Sequence, residues 1–523
     1  MTDRAWPKAP VLYQIYPRSF RDTTGNGVGD LAGIIHGLNH AAELGVDAIW
    51  ISPFYPSPWA DGGYDITDHM EIDPLLGTLE QFDRLVARAH DLGLRVVIDQ
   101  VFNHTSVEAP WFKRSVAGDP RYSDYYVWSD PKPDGTQPNN WLSQFGPPAW
   151  TWNHLRRQYY FHNFTSQQPS LNLRNEAVQD ELCQIMRFWR DRGVDGFRID
   201  AVTSLLFDPS LKDNPPATPE VQDKVAGENF VPYTYQDHSY DILPGDGLEF
   251  VAKLRDWAGE DAFLIGEVTS GNQSVELVNK LCCAKGLDAA YTTDLAERGA
   301  CPETFRDVLD RLETPGGFAW WLSSHDQPRA ATAHGDGSAR DARFLLATCA
   351  LMPGPWMIFQ GEELGLPQPF LDWSENDDPF DRLYWPDTPG RAAARVPIPW
   401  SEGYVGFGFT QGKPWLTMRW DGCSSVLAQS EDEGSVLAYA RRLIALRRAS
   451  DLGGCRVTGW DGTEQVLRVE TEGDGGSFVA LLNFGQSSAP VPDALRDVPV
   501  LHSSSAMEDG LPARTAALWR LPS

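Results

Sequence analysis

With 523 residues, 58.3 kDa, 42% hydrophobic and 22% charged residues, the chain has room for about three or four compact units of ordinary soluble composition. Its 44 basic and 72 acidic residues leave a net charge of −28 and a pI near 4.7. That balance repels phosphate backbones and anionic lipid, so neither nucleic acid nor a membrane is an expected partner. No apolar run approaches the roughly 18 residues of a membrane span, and Met1–Pro10 lacks the apolar stretch of a secretory leader. Seven scattered cysteines, with no CxxC or HExxH pattern, read as reduced thiols of a cytoplasmic protein.

In chain order, the first strand-like run covers residues 11–17, and DTTGNGVGD follows at 22–30. Alternate positions Asp22, Thr24, Asn26, Val28 (through its carbonyl) and Asp30 set oxygens around a glycine-rich turn. This resembles a structural Ca2+ loop, with Mg2+ or an empty site the alternatives because only two carboxylates contribute; no cofactor is expected in catalysis. The stretch also reads GVGDLA, a weak match to the dinucleotide fingerprint. Asp30 stands where a pyrophosphate would lie, which excludes a nucleotide. His36 and His40, four apart on the next helix, read as structural.

A second run at 46–53 precedes TLEQFDRLVARAHDLG, where Thr78 and Gln81 have capping-box spacing. Leu79, Phe82, Leu85, Val86 and Ala89 recur at helical period, Gly93 ends the helix, and a third run occupies 94–102. The same grammar places EAVQDELCQIMRFWRDRG before a run at 196–202 and GLEFVAKLRDWAG before one at 262–268. Further runs follow at 287–291, 319–324 and 355–360. Near-continuous apolar strands alternating with helices predict an α/β fold, a (β/α)8 TIM barrel. Residues 105–170, rich in Trp, Pro, Asn and Tyr, predict a loop subdomain inserted after strand 3. Residues 203–246 predict an extended loop, and 450–523 a C-terminal β-sandwich domain. The expected units are therefore 1–104 and 171–449 for the barrel, 105–170 for the insert and 450–523 for the terminal domain.

The ionisable residues collect at the C-terminal ends of these strands: Asp99, Asn103 and His104 after the third, Arg198 and Asp200 on the fourth, Glu267 on the fifth, His325 and Asp326 after the seventh. In a parallel barrel all of these ends open on one face. Carboxylates crowded there push their pKa values apart, so one acid stays protonated while another ionises. That pairing is what retaining glycoside hydrolysis requires.

DQVFNH (99–104), GFRIDA (196–201), GEV (266–268) and SSHDQPR (323–329) resemble, in order and spacing, the four signature regions of the α-amylase family, glycoside hydrolase family 13. QPSLNL (168–173) is similar to that family's fifth region, and GYDITD (63–68) to its first-loop motif. QIYPRSF…GNGVGDL and LYWPDTPGRAAARVPIPW resemble the α-glucosidase/oligo-1,6-glucosidase branch. The resemblance implies Asp200 as nucleophile, Glu267 as general acid/base and Asp326 as the third carboxylate, holding the sugar's 2- and 3-hydroxyls. It also implies that Arg198 keeps Asp200 ionised, that Asp99 props the site, and that His104 and His325 donate to ring hydroxyls. Asp61 and Tyr64 would line the terminal-glucose subsite, Phe145 would wall it, and Arg395, in preference to Arg391, would clamp it. The branch pattern there, GRDxxRTPMxW, has Asp and Thr where this chain has Ala392 and Val396; Ser170 likewise replaces the Asp of QPDLN.

Ala201, next to the nucleophile, suggests tolerance of α-1,4 linkages, whereas Gln168 points to the oligo-1,6 type. The implied activity is an exo-acting retaining α-glucosidase working through a covalent glucosyl-Asp200 intermediate, with transglucosylation. Its partners would be maltose, short malto-oligosaccharides and sucrose, and the chain is expected as a monomer or homodimer. The alternative is an oligo-1,6-glucosidase or a sucrose-active transglucosylase.

Overall fold

The computed structural model describes residues 5–522 except 147, 220–230, 243–246, 270–272, 284, 314, 387–389, 404–405, 421–423 and 508–509. Parts of the predicted 203–246 loop and of LYWPDTPGRAAARVPIPW thus lie outside the described residues.

Seven parallel strands build the central sheet: β1 (Val11–Ile15), β2 (Ala48–Ile51), β3 (Arg95–Gln100), β7 (Gly196–Ile199), β8 (Phe263–Val268), β9 (Ala289–Thr292) and β10 (Trp356–Phe359). Their order is β10-β1-β2-β3-β7-β8-β9. The run predicted at 319–324 closes the ring between β9 and β10 through two isolated parallel bridges, Ala290 with Phe318 and Trp320 with Trp356. The fold is therefore a (β/α)8 barrel whose seventh staves are joined by single bridges rather than by a ladder. Leu12, Trp50, Val97, Ile265, Tyr291, Trp321 and Met357 form its inner packing. The outward strand faces pack under the helices in a much larger cluster.

Local sequence explains the helices that bury those outer faces. In Leu79–Asp91 the Thr78 hydroxyl accepts from the Gln81 N–H at 3.2 Å, and Phe82, Leu85, Val86 and Ala89 are buried. A cap of this kind contributes about 1 kcal/mol. Asn175 caps Glu176–Asp191 in the same way. Among the described residues, no helix is long and apolar enough to cross a membrane.

After β3 the chain leaves the barrel into a three-stranded antiparallel sheet, β4 (Trp128–Ser129), β5 (Trp150–Asn153) and β6 (Gln158–Phe161), ordered β4-β6-β5. Its small core of Val127, Trp141, Ala149, Trp150 and Phe161 is completed by Phe207, Leu211 and Tyr240 of the loop after β7. The insert and that loop thus share one apolar contact beside the barrel mouth.

At the C-terminus lies one five-stranded antiparallel sheet, β11 (Arg456–Gly462), β12 (Val466–Gly473), β13 (Gly476–Asn483), β14 (Val500–Ser503) and β15 (Thr515–Arg520). Leu467, Val469, Phe478, Ala480, Leu482, Ala516 and Leu518 join the barrel-side core. The opposite face, with Val479, Leu481 and Trp519, is covered by Leu495 and Leu511. A short helix and a proline-containing loop therefore supply the second layer where a sandwich would have a second sheet.

Candidate active site

Parallel register brings Asp99 of β3 beside Arg198 of β7, and Glu267 of β8 beside Tyr291 of β9. One fully buried guanidinium organises their ends. Arg198 Nη1 donates to Asp99 Oδ1 at 2.7 Å and to Asp200 Oδ1 at 2.5 Å, while Nη2 lies 2.7 Å from Glu267 Oε2. Nε and Nη2 also donate to the Tyr291 hydroxyl, at 2.9 and 2.8 Å. Ala201 takes the left-handed conformation (φ 41°, ψ 50°), and its N–H donates to Glu267 Oε2 at 3.2 Å. Each of the two carboxylates keeps one oxygen off Arg198. Among the described residues Asp200 Oδ2 receives no hydrogen bond, and Glu267 Oε1 has only the Tyr291 hydroxyl, at 3.4 Å.

A single positive charge thus faces three carboxylates. Burial lifts Asp200 well above the usual carboxylate range; Arg198 opposes the rise, while Glu267, Asp99 and Asp326 add to it. Asp99 is also raised by burial against the pull of Arg198. Sequence reasoning assigned Arg198 to keeping Asp200 ionised. The structure shows the arginine shared, so ionised Asp200 is only partly compensated.

The opposite wall is differently charged. Asp326 Oδ1 accepts from Arg391 Nη1 at 2.7 Å and from Arg395 Nη2 at 2.8 Å. Arg391 Nη2 also reaches Asp61 Oδ1 at 2.6 Å. Behind the arginines, fully buried Asp378 Oδ2 accepts from Arg391 Nε at 2.8 Å and Arg395 Nη1 at 3.0 Å. Burial would raise both acids, but these arginines, with His325 beside Asp326, outweigh it. Asp326 is held well below the usual carboxylate range and Asp378 is lowered too. Both candidate arginines therefore hold Asp326, and only Arg391 also bridges to Asp61. Arg395 is the deeper, with its Nε on the His325 carbonyl at 2.8 Å.

Tyr64 lies against this wall, its ring stacked on His325 at 5.2 Å and its hydroxyl donating to Asp99 Oδ2 at 3.3 Å. Gln168 Nε2 donates to Asp61 Oδ2 and approaches His104 Nε2, both at 3.0 Å. His104 Nδ1 faces Asn103 Oδ1 at 3.1 Å, so both ring nitrogens meet protein groups. Burial pushes the His104 pKa down to about 3, which keeps the ring neutral. The Arg391 guanidinium sits 5.3 Å from the Phe145 ring centroid. The catalytic and sugar-facing candidates thus converge on one mouth.

The 22–30 loop is turned inward upon itself. Asp22 accepts from the N–H groups of Thr24, Gly25 and Gly27 and from the Thr24 and Thr410 hydroxyls. Asp30 accepts from Thr23 and caps the helix Leu31–Leu44 at the Gly33 N–H, 2.7 Å away. Asn26 accepts from the Val28 N–H at 2.8 Å. Each carboxylate oxygen of Asp22 and Asp30 thus serves a hydrogen bond that shapes the turn. Among the described residues no group of three His, Cys, Asp or Glu could hold a metal ion. His40 Nε2 lies 2.9 Å from buried Glu363 Oε1, a structural pairing as expected.

Sequence reasoning missed Tyr291, Asp378 and Gln14, the last lying under His325. Tyr291 ends a predicted strand and could have been found by the rule that located Glu267. Asp378 carries only the Asp-Pro signature of a helix cap, which it also is, accepting from the Phe380 and Asp381 N–H groups.

Residues 14–452 match the α-amylase catalytic domain. A probable α-glucosidase of Rhizobium meliloti (strain 1021) is 43% identical over 463 residues, covering 86% of this chain and 83% of the relative. A probable oligo-1,6-glucosidase of Bacillus subtilis (strain 168) is 35% identical over 492 residues, 86% of this chain and 85% of the relative. Among solved structures, an α-glucosyl transfer enzyme superposes with a TM-score of 0.92 at 38% identity, over 99% of this chain and 100% of that one.

Proposed function

Because the chain belongs to the α-amylase family, glycoside hydrolase family 13, we propose that it is an exo-acting retaining α-glucosidase that takes maltose and short α-glucosides. The observation that carries this reading is the single guanidinium shared by Asp99, Asp200 and Glu267, which leaves one oxygen of each catalytic candidate off the arginine. Asp200 Oδ2 attacks the anomeric carbon while Glu267, protonated on Oε1, gives its proton to the leaving oxygen. A covalent glucosyl-Asp200 ester forms. Glu267, now ionised, takes a proton from water, and that water attacks the anomeric carbon from the face the leaving oxygen left, breaking its bond to Asp200 and giving α-glucose and a free Asp200 carboxylate.

The charge balance suits this path. Ionised Asp200 is under-compensated until positive charge develops on the sugar ring, so the pocket favours the oxocarbenium-like transition state over neutral substrate. Asp326, kept ionised by two arginines, offers Oδ2 to the 2- and 3-hydroxyls. The Arg391–Asp61 bridge closes the far end of the pocket around a terminal glucose, which supports exo action. This geometry supports a clamp by Arg391 together with Arg395, rather than Arg395 alone.

Glucose release from maltose, isomaltose, sucrose and starch, with the anomer followed by NMR, tests the proposal. Rapid α-glucose from maltose with little from starch is expected; β-glucose first, or starch as the best substrate, would sink it. A second reading, net transglucosylation, is favoured by the similarity to an α-glucosyl transfer enzyme along nearly the whole chain. It predicts oligosaccharide products outgrowing free glucose at high maltose concentration.

A further inference from the structure

His325 is deeply enclosed in the pocket wall. Its ring is 1% exposed and sandwiched between two tyrosines, Tyr16 at 5.7 Å and 12° and Tyr64 at 5.2 Å and 4°. Nδ1 points down to Gln14 of β1, whose Nε2 lies 2.7 Å away and also donates to Ser52 Oγ at 3.2 Å. Nε2 lies 3.1 Å from Asp326 Oδ2, and among the described residues it is buried without a hydrogen-bond partner.

From these contacts we infer that Gln14 is a positioning residue that fixes the His325 proton on Nε2, so that the ring presents a donor to the glucose hydroxyl shared with Asp326. Two independent contacts agree. A neutral ring with its lone pair on Nε2 would set that lone pair against a carboxylate oxygen, which is repulsive; the proton therefore belongs on Nε2. Nδ1 faces the Gln14 amide nitrogen, 2% exposed and braced on Ser52, which can only donate, so Nδ1 accepts and the ring is neutral. The ring cannot rotate to exchange its nitrogens because the two tyrosines hold both faces. A donor that is buried, aimed into the pocket and unpaired is what a bound hydroxyl satisfies, since leaving it unpaired is costly. Glutamine is specific to this task at position 14: glutamate in its place would accept from Nδ1, while leucine would do neither.

The inference rests on the glucosidase reading for the identity of the hydroxyl, but not for the position of the proton. The experiment uses full-length protein labelled with 15N in its histidines, His325 being assigned by loss of its signals in H325N. Wild type should show Nδ1 unprotonated and Nε2 protonated at neutral pH. In Q14E, Nδ1 should gain a proton; in Q14L the two nitrogens should average. KM for maltose should rise about tenfold in Q14L with a smaller change in kcat, and the pH profile of kcat/KM should shift in Q14E. A wild-type proton on Nδ1 overturns the inference whether or not the variants fold. So does a Q14L protein that only melts earlier, with KM and the ring signals unmoved. Absence of activity in wild type would sink the glucosidase reading and leave the nitrogen signals to decide the role of Gln14.

Discussion

The two walls of the pocket hold nearly the same acids and solve opposite electrostatic problems. Around Arg198, three carboxylates share one guanidinium, leaving two negative charges if all ionise; Asp99 and Asp200 are raised by burial. Around Arg391 and Arg395, three carboxylates (Asp61, Asp326 and Asp378) share two guanidinia, leaving one; Asp326 and Asp378 are lowered. One arginine more or less therefore separates a wall poised to change charge from a wall that keeps its charge. The proposed mechanism needs the first, because in it a proton must leave and return and a carboxylate must become an ester. Binding needs the second, because hydroxyl donors want a fixed acceptor.

The largest expected effect lies on the poised wall. Glu267→Gln should lower turnover by about 10²- to 10⁴-fold, the size of a lost general acid. Asp200→Asn should lower it by about 10³-fold or more, as for loss of a nucleophile acting in a concerted site. Rescue of Asp200→Gly by azide, releasing β-glucosyl azide, would identify the nucleophile directly. Near-normal maltose turnover in either carboxamide variant would dissolve the distinction between the walls.

Stability should separate the walls next, and with opposite sign. Asp378 has a folded pKa below its unfolded value of about 3.9, so its contribution is present above that pH and is lost only as pH falls through the folded value. Asp378→Asn at pH 7 therefore removes a fully buried ion that Arg391 and Arg395 share, leaving the two guanidinia to Asp61 and Asp326 alone, a loss of up to roughly 3–5 kcal/mol. Asp200 is raised, so ionising it in the folded protein costs stability as pH climbs from about 3.9 towards the folded value. Asp200→Asn should then melt later than wild type at pH 7, and its advantage should shrink at pH 4. Melting curves at both pH values check this, and a lower melting temperature for Asp200→Asn at pH 7 would mean that Arg198 compensates all three acids after all.

How much of this was legible in the sequence follows the same division. The poised wall was readable because Asp99, Arg198, Asp200 and Glu267 sit on apolar strands whose ends a barrel must gather. The charge balance was not readable, since Arg198 stands in one strand and its third acid and Tyr291 arrive from residues 267 and 291. The clamp was half legible: Asp61, Asp326 and Arg395 lie in motifs, whereas Asp378 belongs to a connecting segment with no periodicity. The seventh stave was placed correctly by its apolar run at 319–324, yet no pattern showed that only two bridges, at Phe318 and Trp320, would pair it. In the 22–30 loop, alternation of oxygen side chains marked a turn, but not that its own N–H groups would bond to Asp22 and Asn26.

The smallest expected effect isolates geometry from charge. Ala201 touches the poised wall through its backbone, whose left-handed conformation aims the N–H at Glu267 Oε2. Valine there adds two methyl groups beside Asp200 without altering any charge. A β-branched residue also resists positive φ, at a cost of about 1–3 kcal/mol. Ala201→Val should therefore melt a few degrees earlier and narrow the space available to the leaving sugar. Maltose turnover should fall more than isomaltose turnover, because the longer, more flexible 1,6 link lets the leaving sugar swing away from the added methyls; a shift of about 2- to 10-fold in the ratio corresponds to a contact of one or two methyl groups. The pH profile should stay where it is. A changed ratio with an unchanged profile would show that linkage choice resides in the shape around Asp200. A moved profile would show instead that the Ala201 N–H takes part in setting which acid of the poised wall holds the proton.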